Sequence, residues 1–421
     1  MELKTYSRRK KDAQPDVEEG PRPARWRKAG TEKDNAAVTQ KQQLAEIKAY
    51  FEEVDAFDLV AETPSPAAKP ARLPAAKREP SSLGPAPVEA SGMDPTETQE
   101  AAQACKIGEG TFGEAFKSKS CVLKIVPMEG DMKVNGEVQK RAEDMLGEVA
   151  ISQTLASLGD NSADRPGWTS GFVASVGVGV ARGRYPPALL QEWHRWDEEF
   201  TSENDPVDNF GDDQLYTVFA FGDGGIDLER ASLQTPEEVQ TLLFQTTLAL
   251  AVAEEEVEFE HRDLHWGNVL IQRGGPDLLG ARLRGVDISV HTAGGLRCTL
   301  IDFTLSRLRT MDGSLAFCDL AIDPELFQGP KANIQADTYR RMKRLTKNRW
   351  EAYQPATNAA WLHYLADICL THKLPQLPNA DKTALRGFRK RVLGYACAAD
   401  AIWDEYFQGC WSSDAKHHHA S

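Results

Sequence analysis

Eight consecutive residues, His261-Arg262-Asp263-Leu264-His265-Trp266-Gly267-Asn268, meet the pattern H-R-D-L-x-x-x-N at every fixed position. An aspartate and an asparagine on one short loop can set a carboxylate beside a reacting hydroxyl and an amide oxygen beside a cation. The apolar Val269-Leu270-Ile271 that follows predicts a buried strand bracing the loop. The plain alternative is a charged connection from a long helix to that strand, which does not require the fixed positions to coincide.

Other parts of the chain supply what such a loop would need. Gly108-Glu109-Gly110-Thr111-Phe112-Gly113 is a GxGxxG run, weak alone because dinucleotide-binding turns share it. Gly108, Gly110 and Gly113 leave the backbone free to approach phosphate oxygens with no Cβ in the way. A dinucleotide site wants a helix directly after the run. Here a turn and then the apolar strand 120–126 follow, with Lys124 inside it. That lysine is costly to bury unless a counter-charge or a phosphate awaits it. Glu148, in the helical and largely apolar stretch 146–158, can supply the counter-charge and turn the ammonium toward α- and β-phosphates. A glutamate early in a helix also suits the positive end of its dipole. Asp302 ends the apolar Leu300-Ile301 and reads as a metal-binding aspartate; without context, an Asp there is a turn starter. Phe303 follows, but Thr304 stands where a glycine is usual, and no A-P-E triplet lies downstream. Together these residues would cradle phosphates, neutralise their charge, hold Mg²⁺ and position a hydroxyl. Those are the needs of phosphoryl transfer from ATP.

Charge and proline divide the chain near residue 100. Residues 1–100 hold 11 of the 23 prolines, 16 Lys+Arg and 18 Asp+Glu; the remaining 321 carry 33 Lys+Arg against 45 Asp+Glu, a net charge of −12. The first segment cannot bury enough apolar surface to offset its ordering entropy, so it is expected to be mostly disordered, with 64–87 an extended linker. Its basic clusters (8–11, then Arg22, Arg25, Arg27 and Lys28) read equally as nuclear targeting, nucleic-acid contact or a solvated tail. Leu44, Ile47, Phe51 and Val54 share one helical face and predict a short helix. Thr63 and Ser65, each before a proline, offer acceptors to proline-directed kinases. The opening MELKTYSRRKKD lacks the apolar core of a secretory leader, and no apolar run reaches the length of a membrane span. Seven scattered cysteines without a CxxC suggest reduced thiols in an intracellular protein.

From about residue 103 the chain reads as globular. Strands are expected at 120–126, 172–180, 189–192 and 215–221. Helices are expected at 146–158 and 236–256, with helical patterns at 361–370 and 381–407. A β-rich part (101–225) followed by a helix-rich part (226–421) predicts two lobes in an α+β arrangement. The acidic stretch 193–213 is expected to be a flexible insertion, with a further substrate surface as the alternative. Between Asn268 and Asp302, the pairs Gly274-Gly275 and Gly294-Gly295 predict an extra β-hairpin or loop.

The chain from about 103 onward resembles the haspin family of atypical eukaryotic protein kinases. The resemblance is carried by GEGTFGEAF (108–116), KVNGEVQK (133–140), GGIDLE (224–229), FEHRDLHWGNVLI (259–271), IDFTLSRL (301–308), FCDLAIDPELFQG (317–329) and NRWEAYQPATNAAWLHYL (348–365). It implies a bilobal protein-kinase-like fold, and a nuclear serine/threonine kinase acting on mitotic chromosomes. The substrate it implies is the third-position threonine of the histone H3 N-terminal tail. Carried over by motif, Lys124 is the ATP lysine, Glu148 its partner and Asp263 the catalytic aspartate. Asn268 and Asp302 become metal ligands, Phe221 the gatekeeper and 222–224, with Gly222 and Gly224, the hinge. Asp227 lies near the ribose and the substrate cleft. Asp319, Asp323 and Glu325 would hold the basic peptide, although Pro324 and Glu325 depart from the commoner acidic pair. The family keeps its activation segment active without phosphorylation, and Thr304 fits that, being less mobile than glycine.

The charge arithmetic points the same way. A region at −12 attracts a basic peptide and repels bare DNA. A solvated acidic loop is the plain account of Asp319, Asp323 and Glu325. The chain is expected to act as a monomer with no membrane partner, and to reach chromatin through its basic tail. Two other functions compete: a pseudokinase or chromatin scaffold, and a small-molecule phosphotransferase of the aminoglycoside or choline kinase type. Arg262 and IDFTLSRL point away from the latter.

Overall fold

The computed structural model describes residues 104–411, except positions 120 and 375, and the backbone of Arg25–Ala29. The 8–11 cluster, the 44–54 helical face, Thr63, Ser65 and the 64–87 linker lie outside the described residues. The first element, β1 (Arg25–Ala29), pairs antiparallel with a strand late in the chain, so the expectation of disorder across 1–100 misses this segment.

β2 (Cys105–Gly110) and β3 (Gly113–Lys117) form a hairpin with Thr111 and Phe112 at its tip. The GxGxxG run thus joins strand to strand, as the residues after it predict. β4 (Val122–Met128) pairs with β3; then come α1 (Ala142–Ser157), a two-residue β5 (Trp168–Thr169), β6 (Ser175–Arg182), α2 (Pro187–Phe200) and β7 (Leu215–Phe221). The order β2-β3-β4-β7-β6 makes one antiparallel sheet. Its pleat sends neighbouring side chains to opposite faces. Leu123 and Ile125 join Phe116, Tyr216 and Trp193 of α2, whereas Val126 and Met128 join Met145 of α1. A helix therefore covers each face, and the alternation puts Lys124 on the α1 side.

Two sequence expectations fail in this sheet. Residues 189–192 are not a strand but part of α2. Pro187 presets its first turn, and Leu189 and Trp193, four apart, bury one side. Four residues hold too few repeats to separate a period of 2 from 3.6. The 193–213 stretch is not a flexible insertion either: α2 and a 3₁₀ turn at Val207–Asn209 pack Trp193, Val207 and Phe210 against the sheet.

In the second part, β8 (Ile226–Asp227) precedes α3 (Pro236–Val257), a helix buried nearly all round. The Thr235 side chain caps it by accepting the Glu238 N–H at 3.2 Å. β9 (Val269–Gln272) is flanked by β8 and by β12 (Arg297–Leu300). Between β9 and β12, Leu278–Leu283 (β10) and Val286–His291 (β11) form the extra hairpin that the glycine pairs predict. β13 (Arg307–Arg309) and β14 (Leu315–Asp319) form a further hairpin, and β1 is its third strand. Helices α4 (Ile334–Thr346), α5 (Ala356–Ile368), α6 (Asn379–Arg391) and α7 (Ala398–Ala401) complete the chain. Leu242, Leu250, Trp361, Leu365, Phe388 and Phe407 lie in the shared core around α3.

Candidate active site

Lys124 Nζ lies 2.7 Å from Glu148 Oε1 and 3.7 Å from Asp302 Oδ1. Strand alternation aims the lysine at α1. Glu148 stands in that helix's second turn, so it is there to meet charge rather than the helix dipole. Lys140 braces its other oxygen at 3.6 Å. Burial disfavours the ammonium of Lys124, but Asp302 and Glu148 outweigh it and raise the lysine's pKa.

The H-R-D loop is held by its own residues. Arg262, at φ 65, is fully buried, and its guanidinium pairs with Glu260 at 2.9 Å and donates to the Trp350 carbonyl at 2.7 Å. The ring of Trp350 lies 5.4 Å from it. Arg262 is therefore an anchor for the loop. His261 is buried, which takes its pKa down to about 4, and its Nε2 lies 3.1 Å from the Ile301 carbonyl. Neutral imidazole thus ties this loop to the segment carrying Asp302. His265 Nδ1 accepts the Gly267 N–H at 3.0 Å, and burial lowers its pKa as well.

Asp263 has its pKa raised by burial, against the pull of a hydrogen bond from the Tyr339 hydroxyl and with a further rise from Asp302. The Asn268 amide donates to the Asp263 carbonyl at 2.8 Å, which leaves the Asn268 side-chain oxygen as the acceptor. The Ile301 N–H reaches the Asn268 carbonyl at 3.1 Å, so Asn268 and Asp302 are held on adjoining strand ends. Asp302 itself sits at φ 58. Burial raises its pKa, but Lys124 and two Thr304 donors outweigh this and hold the carboxyl well below the usual range. Those donors are the Thr304 N–H, 3.1 Å from Oδ1, and the Thr304 hydroxyl. The threonine that departs from the usual glycine thus has a task. Phe303 is buried beside Phe172, Phe259 and His261.

An ionised carboxylate and an amide oxygen suit a hard cation such as Mg²⁺. The glycine turn suits phosphate. A Cβ at Gly108 or Gly110 would meet no protein atom closer than 3.8 Å, whereas one at Gly113 would lie 2.3 Å from the Ile125 carbonyl. Packing explains Gly113, and the room at Gly108 and Gly110 is what an approaching phosphate needs.

Phe221 ends β7, and the Gly222 N–H donates to the Ala174 carbonyl at 2.9 Å. A Cβ at Gly224 would fall 2.7 Å from Leu270. Asp227, on β8, accepts the Arg230 N–H at 2.8 Å and pairs with its Nε at 2.5 Å; Arg230 also donates to the Ile107 carbonyl at 3.3 Å. This links β8 to the glycine hairpin. Asp319 and Asp323 each cap a short turn, accepting the N–H of Ala321 and Glu325 at 3.1 Å. Glu325 is exposed beside them. Sequence reasoning misses Tyr339, Lys140 and the second task of Thr304; only the last left a trace, as a departure from D-F-G.

A model described as Haspin like kinase domain matches residues 82–392. A serine/threonine-protein kinase haspin homolog of Arabidopsis thaliana is 44% identical over 302 residues, covering 72% of this chain and 50% of that protein. Serine/threonine-protein kinase haspin of Bos taurus is 40% identical over 72% of this chain and 40% of that one. The Mus musculus protein of the same name is 39% identical over 70% and 40%. The chain thus spans half or less of the length of these relatives.

Proposed function

The chain belongs to the Haspin like kinase family, and from that premise we propose that it is a serine/threonine protein kinase using ATP and Mg²⁺. Its substrate, on this reading, is the third-position threonine of the histone H3 tail. The observation that carries the activity is the meeting of Lys124, Glu148 and Asp302 beside the H-R-D loop, with the glycine hairpin built onto the strand that carries Lys124.

The nucleotide supplies the γ-phosphoryl group, and its metal neutralises charge on the phosphate oxygens. Gly108 and Gly110 give the phosphates room, and Lys124, steadied by Glu148, presents a fixed positive charge to them. Asn268 and Asp302 would hold the cation through oxygen. Asp263 accepts the proton of the substrate hydroxyl at its carboxylate as that oxygen bonds to the γ-phosphorus, while the bond from phosphorus to the β–γ bridging oxygen breaks and ADP leaves. The protein contributes positioning and electrostatics, with no covalent intermediate of its own.

Charge supports the peptide assignment. Residues 101–421 carry a net of −12, and Asp319, at the end of β14, is followed closely by Asp323 and Glu325. A basic tail entering there would meet acids. Action on mitotic chromosomes in the nucleus, as a monomer, belongs to the same proposal; the family resemblance supports it. So does chromatin contact through the basic tail, whose 8–11 cluster lies outside the described residues.

The test is transfer of labelled phosphate from Mg·ATP by the full chain to an H3 tail peptide. We expect label on the third residue, lost when that threonine is replaced by valine and lost with Asp263→Asn. Label on small alcohols but not on the peptide would favour a small-molecule phosphotransferase. ATP binding without any transfer would favour a scaffold.

A further inference from the structure

The segment after α2 reaches across to the glycine hairpin and holds it. The Ser202 hydroxyl donates to Glu109 Oε2 at 2.7 Å, and the Glu203 N–H donates to Glu109 Oε1 at 2.9 Å. The Asn204 amide donates to the Gly110 carbonyl at 3.1 Å and to Glu114 Oε1 at 2.8 Å. Asn135, 6% exposed and at φ 57, donates to the Thr111 carbonyl and to Asn204 Oδ1, each at 2.9 Å. Its own oxygen accepts the Asp205 N–H at 2.6 Å. The hairpin tip is thus bonded at Glu109, Gly110, Thr111 and Glu114 by residues far from it in sequence.

Packing holds only part of the tip. Phe112 packs against the cluster of Val126, Met128 and Met145, with Lys140 Nζ 4.8 Å from its ring, yet a cavity of about 280 Å³ borders Phe112, Gly113, Tyr185 and Phe210. Without the polar bonds, the backbone at Gly110 and Thr111 would be mobile. Ordering it on binding would then cost conformational entropy. Here two carbonyls, free otherwise to turn toward an anion, are engaged by side-chain amides.

We propose that residues 202–205, with Asn135, form a clamp that fixes the glycine turn for nucleotide phosphates before any nucleotide arrives, with Asn204 as its main positioning residue. This rests on the kinase reading and adds to it the basis of triphosphate affinity. The clamp acts on the part of the ligand that lies under the turn. It leaves the base and ribose to the hinge.

The experiment compares ATP (with Mg²⁺) and adenosine binding by calorimetry, using the full chain and its Asn204→Ala variant. We expect the Kd for ATP to rise about tenfold, the consequence of losing roughly one well-made hydrogen-bonded constraint. The Kd for adenosine should stay within about twofold. Ser202→Ala, a milder change, should move the same ratio by about threefold and serves if Asn204→Ala does not fold. An unchanged ATP-to-adenosine ratio in a wild-type chain that binds ATP overturns the clamp alone. Equal weakening of both ligands makes Asn204 a general structural residue and also overturns it. A wild-type chain that binds no ATP removes the kinase reading, and the clamp with it.

Discussion

The Tyr339 hydroxyl on α4 donates a hydrogen bond to Oδ1 of Asp263, 76 residues earlier in the chain. Tyr339 is buried, edge-on to Trp361 with ring centres 5.3 Å apart. One carboxylate oxygen is therefore engaged by a rigid donor, which on the proposed kinase reading leaves the other to face a substrate hydroxyl. The donor also works against burial, which otherwise pushes Asp263 toward its protonated form.

Tyr339→Phe keeps the ring and its packing and removes the donor. We expect kcat to fall about tenfold with KM for ATP within about twofold, since the group acts on the proton-accepting step. Steady-state kinetics on the H3 peptide check this. A rise in KM for ATP at constant kcat would place the role of Tyr339 in nucleotide binding.

Thr304→Gly removes one of the donors to Asp302 and loosens the backbone beside it. A hydrogen bond to a charged group is worth about 1.5–3 kcal/mol. The affinity for Mg·ATP should fall about tenfold. Thr304→Ser restores the hydroxyl and should recover most of the loss. If serine and glycine behave alike, the hydroxyl contributes nothing.

His261 titrates near 4 in the folded chain against an ordinary 6.5. Between those values the unfolded chain takes up a proton that the folded one refuses. Its contribution to stability is thus complete above about pH 6.5 and is lost as pH falls toward 4, up to about 3 kcal/mol. Urea unfolding of wild type and His261→Asn at several pH values reads this as a gap that narrows with acid. A constant gap would show that the imidazole is not the titrating group.

β1 pairs with β14 across Leu315–Asp319, and β14 pairs with β13 on its other side. Removing residues 1–30 should speed hydrogen exchange at those β14 amides that β13 does not engage, and leave the others protected. Unchanged exchange throughout β14 would mean that this edge is covered in some other way.

Much of this was readable one segment at a time. The H-R-D loop, the glycine hairpin, α3 and the β10–β11 hairpin each follow from patterns within a few residues. α2 did not, because its apolar run is short and four residues do not separate a helical from a strand period. β1 did not, because a five-residue strand forms only where another strand offers an edge. Asn204 carried no signal, and Asn135 only its place within the 133–140 segment; their shared task exists once the fold sets them against two carbonyls.

The sequence by itself determined the chemical parts: which residues can turn tightly, carry charge or bind a cation, and in what order they occur. Backbone geometry and side-chain chemistry are local, so they survive in a one-dimensional reading. Only the tertiary structure decided which of those groups meet. Lys124 reaches Glu148 and Asp302 because a five-stranded sheet, α1 and the β9–β12 pair are each held by their own cores. Contacts between distant residues depend on all of that packing at once, and no single segment encodes them.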